Sequence, residues 1–396
     1  MEDERKNIVH FLPALGGDCT LLEFDNKECI LIDCGYKSTY EQELKPLLVG
    51  LNNRGYKIKL LIVSHIDADH IQGAVRFLED NGEAQNPKVI EIENIWFNGF
   101  YSTVFMNDVF EKHKLELISD AQKEKMRIVQ GHMEMQSIPE GAMISAMQSK
   151  SFEVLCSELG YCVNYQFAKQ VVKRNSHNNV KLPNDKIRLG GFDITVLSPN
   201  DGLIDKLANE LNIELIKMFG KNYKINENSV FLDFYEKLML LKKEEPINSN
   251  VLIGAKSDRI ESWLGTSTLA SMNDVNQASI VVQIEYKGIK MLFTGDSDSE
   301  LWHDFLESYY DVIKISHHGT LKPNLCLIKK TVGKHILIST NGKKYGHPEK
   351  DLVANLILHN KGELHFNYDI NIKDVVLENQ CKYNYKASFG NSIICL

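Results

Sequence analysis

The stretch that most narrows what this chain can fold into is Ile62–Ala74, IVSHIDADHIQGA. An apolar run stops at Ser64, and His65, Asp67, Asp69 and His70 then fall within six positions. KLLIVS (Lys59–Ser64) is continuously apolar, as a strand buried on both faces is. IQGAVRFLED, after the cluster, has helical spacing. The cluster therefore occupies a strand-to-helix turn. Histidine and carboxylate together are ligands of divalent zinc, manganese or iron. Side chains alternate along a strand, so His65 and Asp67 leave its end on one side. Asp69 and His70 leave the turn in a new direction, so one short loop can serve two adjacent ions. The alternative is helix capping, with an Asp satisfying the free amides at the helix start. Capping accounts for one acid, not for two acids and two histidines.

Three later apolar runs also end in Asp or His. LFTGD places Asp296 just past a strand, VIKISHHGT places His317 and His318 past the next, and ISTNGKKYGHP places His347 before Pro348. Each alone has a bland reading as a turn residue. Together they put candidate ligands at four strand ends, where sites of layered α/β sheets form.

The rest of the chain supplies such sheets. NIVHFL, TLLEF and ECILID (7–12, 20–24, 28–33) read as an antiparallel meander. Thr39–Gly55 has leucines at helical intervals. IRLGGFDITVLSP (187–199) reads as a hairpin around Gly190-Gly191, and ASIVVQIEY and IKMLF flank a tight turn at Lys287-Gly288. Strands at 311–316 and 334–340 alternate with helices at 299–309, 324–332 and 348–362. Short strands at 363–369, 372–378 and 392–396 finish the chain. The expected architecture is one α/β domain over 1–396, with a mainly helical insertion at about 100–275.

Composition limits the alternatives. A net charge of −8 gives no support to a broad basic face for nucleic acid, without excluding a local channel. There is no apolar stretch of membrane-spanning length, and MEDERKNIVHFL lacks a signal peptide's apolar core, so a cytoplasmic protein without membrane contact is expected. The eight cysteines include no CxxC pair and read mostly as buried thiols.

With these residues in view, SHIDADHIQG resembles the metal-binding loop of metallo-β-lactamase-fold hydrolases, in the variant with Asp in place of the second His. NQASIVVQIEYKGIKMLFTGD, VIKISHHGT and ISTNGKKYGHP are similar to the metallo-β-lactamase domain of the competence-channel protein ComEC and its free-standing relatives. FLPALGGDCTLLEF and CILIDCG match that group's opening, with Leu-Gly-Gly-Asp where Gly-Gln-Gly-Asp is usual. The resemblance covers about 8–74 and 276–356.

It implies an αββα sandwich with a dinuclear site at one edge, holding two divalent ions, zinc or manganese. His65 and Asp67 would bind one ion, Asp69 and His70 the other, and Asp296 would bridge them. His317 and His318 would complete the two shells, because His113, His132 and His177 all fall in the insertion. His347 would be a ligand or the acid that protonates the leaving group, so Asp69 and His347 are the catalytic candidates. Asp18 and Asp33 would orient the ligand histidines or stabilise turns. Lys314, Ser316, Asn276 and Ser279 read as structural.

The implied activity is metal-dependent hydrolysis, by a metal-activated hydroxide, of a phosphodiester in nucleic acid or a nucleotide; ComEC-type domains are thought to degrade a DNA strand. No Gly-x-Ser-x-Gly elbow or Walker-type loop suggests another nucleophile. Two alternatives stand beside it. One is a small-molecule hydrolase of a cyclic nucleotide, phosphoester or thioester. The other is a non-catalytic sensor or partner subunit, since some free-standing relatives resemble components of bacterial antiviral defence modules. The residues specify no oligomeric state.

Overall fold

The computed structural model describes residues 7–99, 102–103, 151–175, 186–219, 259–269, 272–343, 346–360, 362–391 and 393–396. Side chains of 211–219 are outside this description.

The expected meander forms first. Strands β1 (Ile8–Phe11), β2 (Thr20–Glu23) and β3 (Glu28–Ile32) pair antiparallel in sequence order. β4 (Lys57–Val63) and β5 (Ile95–Phe97) then add in parallel. The last strand, β14 (Ile393–Cys395), returns to pair with β1 and completes a six-stranded sheet.

The second sheet has eight strands. The hairpin β6–β7 (Ile187–Leu189, Phe192–Ser198) starts it and pairs with β8 (Val281–Tyr286). β9 (Ile289–Phe293) follows through the turn at Lys287 and Gly288, both at positive φ as such a hairpin requires. From there β10 (Tyr309–Lys314), β11 (Val332–Ile338), β12 (Glu363–Phe366) and β13 (Lys386–Phe389) run parallel.

Side-chain alternation sorts the core into three layers of contact. Val9, Phe11, Leu22, Ile30, Ile62, Ile194, Val282, Met291, Val312 and Leu337 fill the space between the sheets. On the outside of the first sheet, Leu31, Leu61 and Val63 pack with Ile71, Phe77 and Leu78 of the helix Ala68–Asn81. On the outside of the second, Ile313, Ile336 and Ile338 pack with Leu352, Val353 and Leu356 of the helix Lys350–His359. Each large aliphatic buried this way is worth about 1.5–3 kcal/mol. The result is the expected helix–sheet–sheet–helix sandwich.

Within 100–275, the hairpin β6–β7 is part of the eight-stranded sheet, and helices run Phe152–Glu158 and Asp201–Phe219. Residues 104–150, 176–185 and 220–258, with His113, His132 and His177, lie outside the described residues.

Two local expectations are corrected. The segment 299–309, expected as a helix, makes two short 3-10 turns, Ser299–Leu301 and His303–Phe305, and then enters β10. Asp298 caps the first turn, and the non-helical Trp302 (φ −142°, ψ 5°) stops it from propagating. The segment 372–378, expected as a strand, is the helix Lys373–Glu378. Its branched residues suit a strand, but Ile372 and Val376 are buried four apart, on one helical face. Of the eight thiols, all free, Cys19, Cys29, Cys34 and Cys156 are buried. No helix among the described residues is long and apolar enough to cross a membrane.

Candidate metal centre

Chain segments from both sheets meet at the carboxyl ends of the central strands. β4 ends at Val63, and Ser64 and His65 follow. Asp67 sits at the N-cap of the helix Ala68–Asn81, with extended φ/ψ. Its backbone carbonyl accepts the first helical bonds from His70 and Ile71, but its carboxylate makes no capping bond. Capping thus engages the Asp67 backbone, and the carboxylate stands 3.8 Å from His65 Nε2.

The second sheet brings the other half. After β9, Gly295 (φ +49°) turns the chain so that the Asp296 amide donates to Ser279 Oγ at 3.2 Å. After β10, His317 and His318 both adopt left-handed φ, +51° and +53°, before Gly319 at +95°. Two successive non-glycine residues there cost about 1–3 kcal/mol each, a strain typical of functional turns.

One oxygen is the focus. Asp296 Oδ2 lies 3.5 Å from His318 Nε2, 3.7 Å from His70 Nε2, 3.9 Å from His65 Nε2 and 4.0 Å from His317 Nε2. Donors of one divalent ion, each about 2.0–2.2 Å from it, lie roughly 3–4 Å apart. These contacts are thus too long for most hydrogen bonds and of the right length for shared coordination. His318 Nε2 is also 3.4 Å from Asp69 Oδ2. Ligand atoms of His65, His70 and Asp296 converge, as do those of Asp69, His70 and His318.

Around this set, each ring is held from behind. His70 Nδ1 meets Asp33 Oδ2 at 2.9 Å, and Asp33 also accepts from the Ser64 amide and hydroxyl at 2.7 and 2.8 Å. Asp33 takes a left-handed φ of +54° to do so. His65 Nδ1 is 3.0 Å from Ser64 Oγ, His317 Nδ1 is 3.1 Å from Thr320 Oγ1, and His318 Nδ1 is 3.3 Å from the Ser339 carbonyl and 3.5 Å from Asp18 Oδ1. All four Nε2 atoms therefore face inward. Such outer bonds fix tautomer and ring orientation in metal sites.

The residues fit a divalent metal. His65 Nε2, His70 Nε2 and Asp296 Oδ1 are buried and have no hydrogen-bond partner among the described residues. Leaving such atoms unsatisfied costs about 1–3 kcal/mol each, and a cation satisfies all three. Charge points the same way. Asp18, Asp33 and Asp296 are buried and Asp69 nearly so, against one buried lysine or arginine among the described residues, Lys314. Burial disfavours the charged rings of His70 and His318, yet Asp33 and Asp296 for the first, and Asp296 and Asp18 for the second, raise both pKa values well above the usual range. Burial opposes the Asp296 carboxylate, but His318 and His70 hold its pKa well below normal. His65, by contrast, is pushed down to about 4, by burial first and by His70 next, leaving a neutral ring with a lone pair to donate.

Asp18 and Asp33 each contact a candidate ligand ring, His318 and His70, and Asp33 also holds the turn at Ser64. Lys314 and Ser279, read as structural, do support the site, through Asp18 and the Asp296 amide. Ser64, Thr320 and the Ser339 carbonyl were not anticipated; no spacing rule marks them. His347 stands outside the converging donors, its ring 5.7 Å from that of His317.

Comparison with known proteins bears on this geometry. Residues 12–129 match the family model described as the metallo-beta-lactamase superfamily. That segment of the chain is similar to the superfamily. The match includes His65, Asp67, Asp69 and His70, while Asp296, His317 and His318 lie beyond it. Among solved structures, the chain is similar to the metallo-beta-lactamase fold protein YhfI from Bacillus subtilis (10% identity, 99% of this chain and 100% of that one, TM-score 0.37). It is also similar to Zn(2+)-bound PqqB from Methylobacterium extorquens (9% identity, 98% and 100%, TM-score 0.38). No curated protein matches the chain.

Proposed function

We propose that this protein is a metal-dependent phosphodiesterase acting on nucleic acid or a nucleotide. The observation that carries the reading is Asp296 Oδ2, with four imidazole Nε2 atoms 3.5–4.0 Å around it. A carboxylate so placed suits two ions, with His65 and Asp67 on one side and Asp69 and His70 on the other, and His317 and His318 closing the two shells. When bound, such ions acidify a water and clamp the attacking and leaving oxygens of a phosphoryl group. Zinc and manganese both accept this oxygen-rich set.

The chain's own residues do the rest. Asp33 and Asp18 hold His70 and His318 in place, and Asp69, 3.4 Å from His318 Nε2, would orient an attacking water. His347, whose ring is 5.7 Å from that of His317, would pass a proton to the leaving oxygen. The phosphodiester is favoured by the order of motifs shared with ComEC-type domains; a cytoplasmic setting suits that reading.

The test is an activity screen of chelator-stripped protein reloaded with Zn²⁺ or Mn²⁺, against single- and double-stranded DNA, RNA, cyclic nucleotides and bis-nitrophenyl phosphate. Asp69→Ala controls for contaminating nuclease. Cleavage of oligonucleotides by wild type and not by Asp69→Ala supports the proposal. Cleavage of bis-nitrophenyl phosphate alone points to a small phosphoester. No turnover under any metal, with ions bound, would make the chain a non-catalytic partner.

A further inference from the structure

A second group of metal-binding side chains lies in the parallel half of the eight-stranded sheet. His335 is in the middle of β11, Glu363 and His365 are on β12, and the ladder sets His335 opposite Glu363 and Leu337 opposite His365. His335 shares a face with Leu337, which packs between the sheets. Leu364 and Phe366 point to the outer helices, so Glu363 and His365 point the other way, toward His335. His335 is four residues before Ser339, about 13 Å along the strand from the centre above, and the two groups share no residue.

His335 Nδ1 and His365 Nε2 are 3.0 Å apart, and Glu363 Oε2 is 3.9 Å from His335 Nδ1. The three atoms lie within 4.8 Å of one another. The rings are 7% and 3% exposed, while the Glu363 carboxylate is a third exposed and opens the group to solvent. The far side of His365 is held: Nδ1 meets Ser388 Oγ of β13 at 2.9 Å, and a proton donated there leaves the lone pair on Nε2. His335 Nε2 is buried with no hydrogen-bond partner among the described residues, so no outer bond forces the proton onto Nδ1.

We propose that His335, His365 and Glu363 form a further divalent-cation site, of zinc type, that clamps β11 to β12. Two nitrogens on a tetrahedral zinc ion are roughly 3.3 Å apart, given bonds of about 2.0–2.1 Å. The rings need separate by only a few tenths of an ångström to admit the ion in place of a shared proton. Glu363 gives the third, anionic ligand, and water from the open side the fourth, as in three-ligand zinc sites. The neighbouring Lys386, opposite Glu363 on β13, and Lys334 oppose the ion; Glu363 and Asp311 favour it.

The test is equilibrium dialysis of the whole chelator-stripped protein against Zn²⁺, with metal counted per chain, and against Co²⁺, read by its visible ligand-field bands. His365→Asn should bind one ion fewer per chain than wild type. Glu363→Gln, a surface change that spares the fold, should weaken that same ion at least tenfold. Asp296→Ala, which disturbs the other centre, should keep it. Circular dichroism checks that each variant folds. Equal ion counts and equal Co²⁺ spectra for wild type, Glu363→Gln and folded His365→Asn would overturn the proposal.

Discussion

Lys314 and Asp18 stand 296 positions apart in the chain and form a buried ion pair at the edge of the sandwich. Burial pushes the Asp18 carboxyl up, but Lys314, followed by His318, outweighs it and holds the pKa at about 2. The pair ties the β1–β2 loop to β10 and keeps Asp18 against His318. Lys314→Met should therefore destabilise the protein by about 3–5 kcal/mol, because it strands a buried carboxylate. Adding Asp18→Asn should restore part of that loss. Urea unfolding of the three variants checks this; a double variant no more stable than the single one would refute it.

Asp33 stands directly behind His70, a candidate metal ligand, at 2.9 Å. Replacing it by Asn keeps its size and its tolerance of the left-handed φ but removes the charge behind the ring. Metal affinity should fall about 10–100-fold, measured by competition with a chelating dye. Unchanged affinity in Asp33→Asn would mean that packing alone sets the His70 ring.

Gly17 makes a close backbone approach at the site. A Cβ there would lie 2.1 Å from the Asp69 carbonyl oxygen and 2.8 Å from Asp69 Cβ. Gly17→Ala should displace the Asp69 turn and lower metal affinity and turnover together. Gly50→Ala is the contrast: it lies in the helix Lys45–Asn53 with nothing within 4 Å of the new Cβ. It should stabilise by about 0.5–1 kcal/mol and leave metal binding alone. Thermal unfolding and dye competition separate the two effects.

Glu23 and His10 predict the acid limb of stability, away from the metal. Arg54 contacts the Glu23 carboxylate at 2.8 and 3.1 Å, and His10 Nε2 is 2.8 Å from Oε2. Burial raises the Glu23 pKa, but the bonds from Arg54 and His10 bring it below 4.5. Its contribution is complete above the unfolded value of 4.5 and is lost as pH falls through the folded one. His10 is also lowered, by burial above all, from 6.5. The unfolded chain therefore takes up that proton first, and stability starts to fall below pH 6.5. Arg54 is half exposed, so the Glu23 share is about 1 kcal/mol. Glu23→Gln should flatten the lower part of the urea midpoint curve between about pH 3 and 7.

Among the described residues, every strand except β5 and β13, the turns at Gly190 and Lys287, and the helices after β4 and before β12 were legible as periodicity, because each is held by its own apolar spacing; β5 and β13, three and four residues long, carry too short a pattern. The failures were local. At 299–309 a cap and a broken turn outweighed apolar content, and at 372–378 packing against the second sheet overrode β propensity. The strand-end rule gathered His65, Asp67, Asp69, His70, Asp296, His317 and His318 as candidates. It did not find His335 and His365, which lie inside strands and meet only through the β11–β12 register.

The sequence alone therefore determined which short segments end in metal-binding chemistry, since a strand end and its ligand are neighbours in the chain. Tertiary structure decided which oxygen they share. It also decided which of Ser64, Asp33, Asp18 and Thr320 hold each ring, and that Lys314 closes on Asp18. Ser64 and Thr320 hold rings one and three positions away, and Asp33 reaches His70 within one sheet, but Asp18 meets Lys314 and His318 only because one sheet packs on the other.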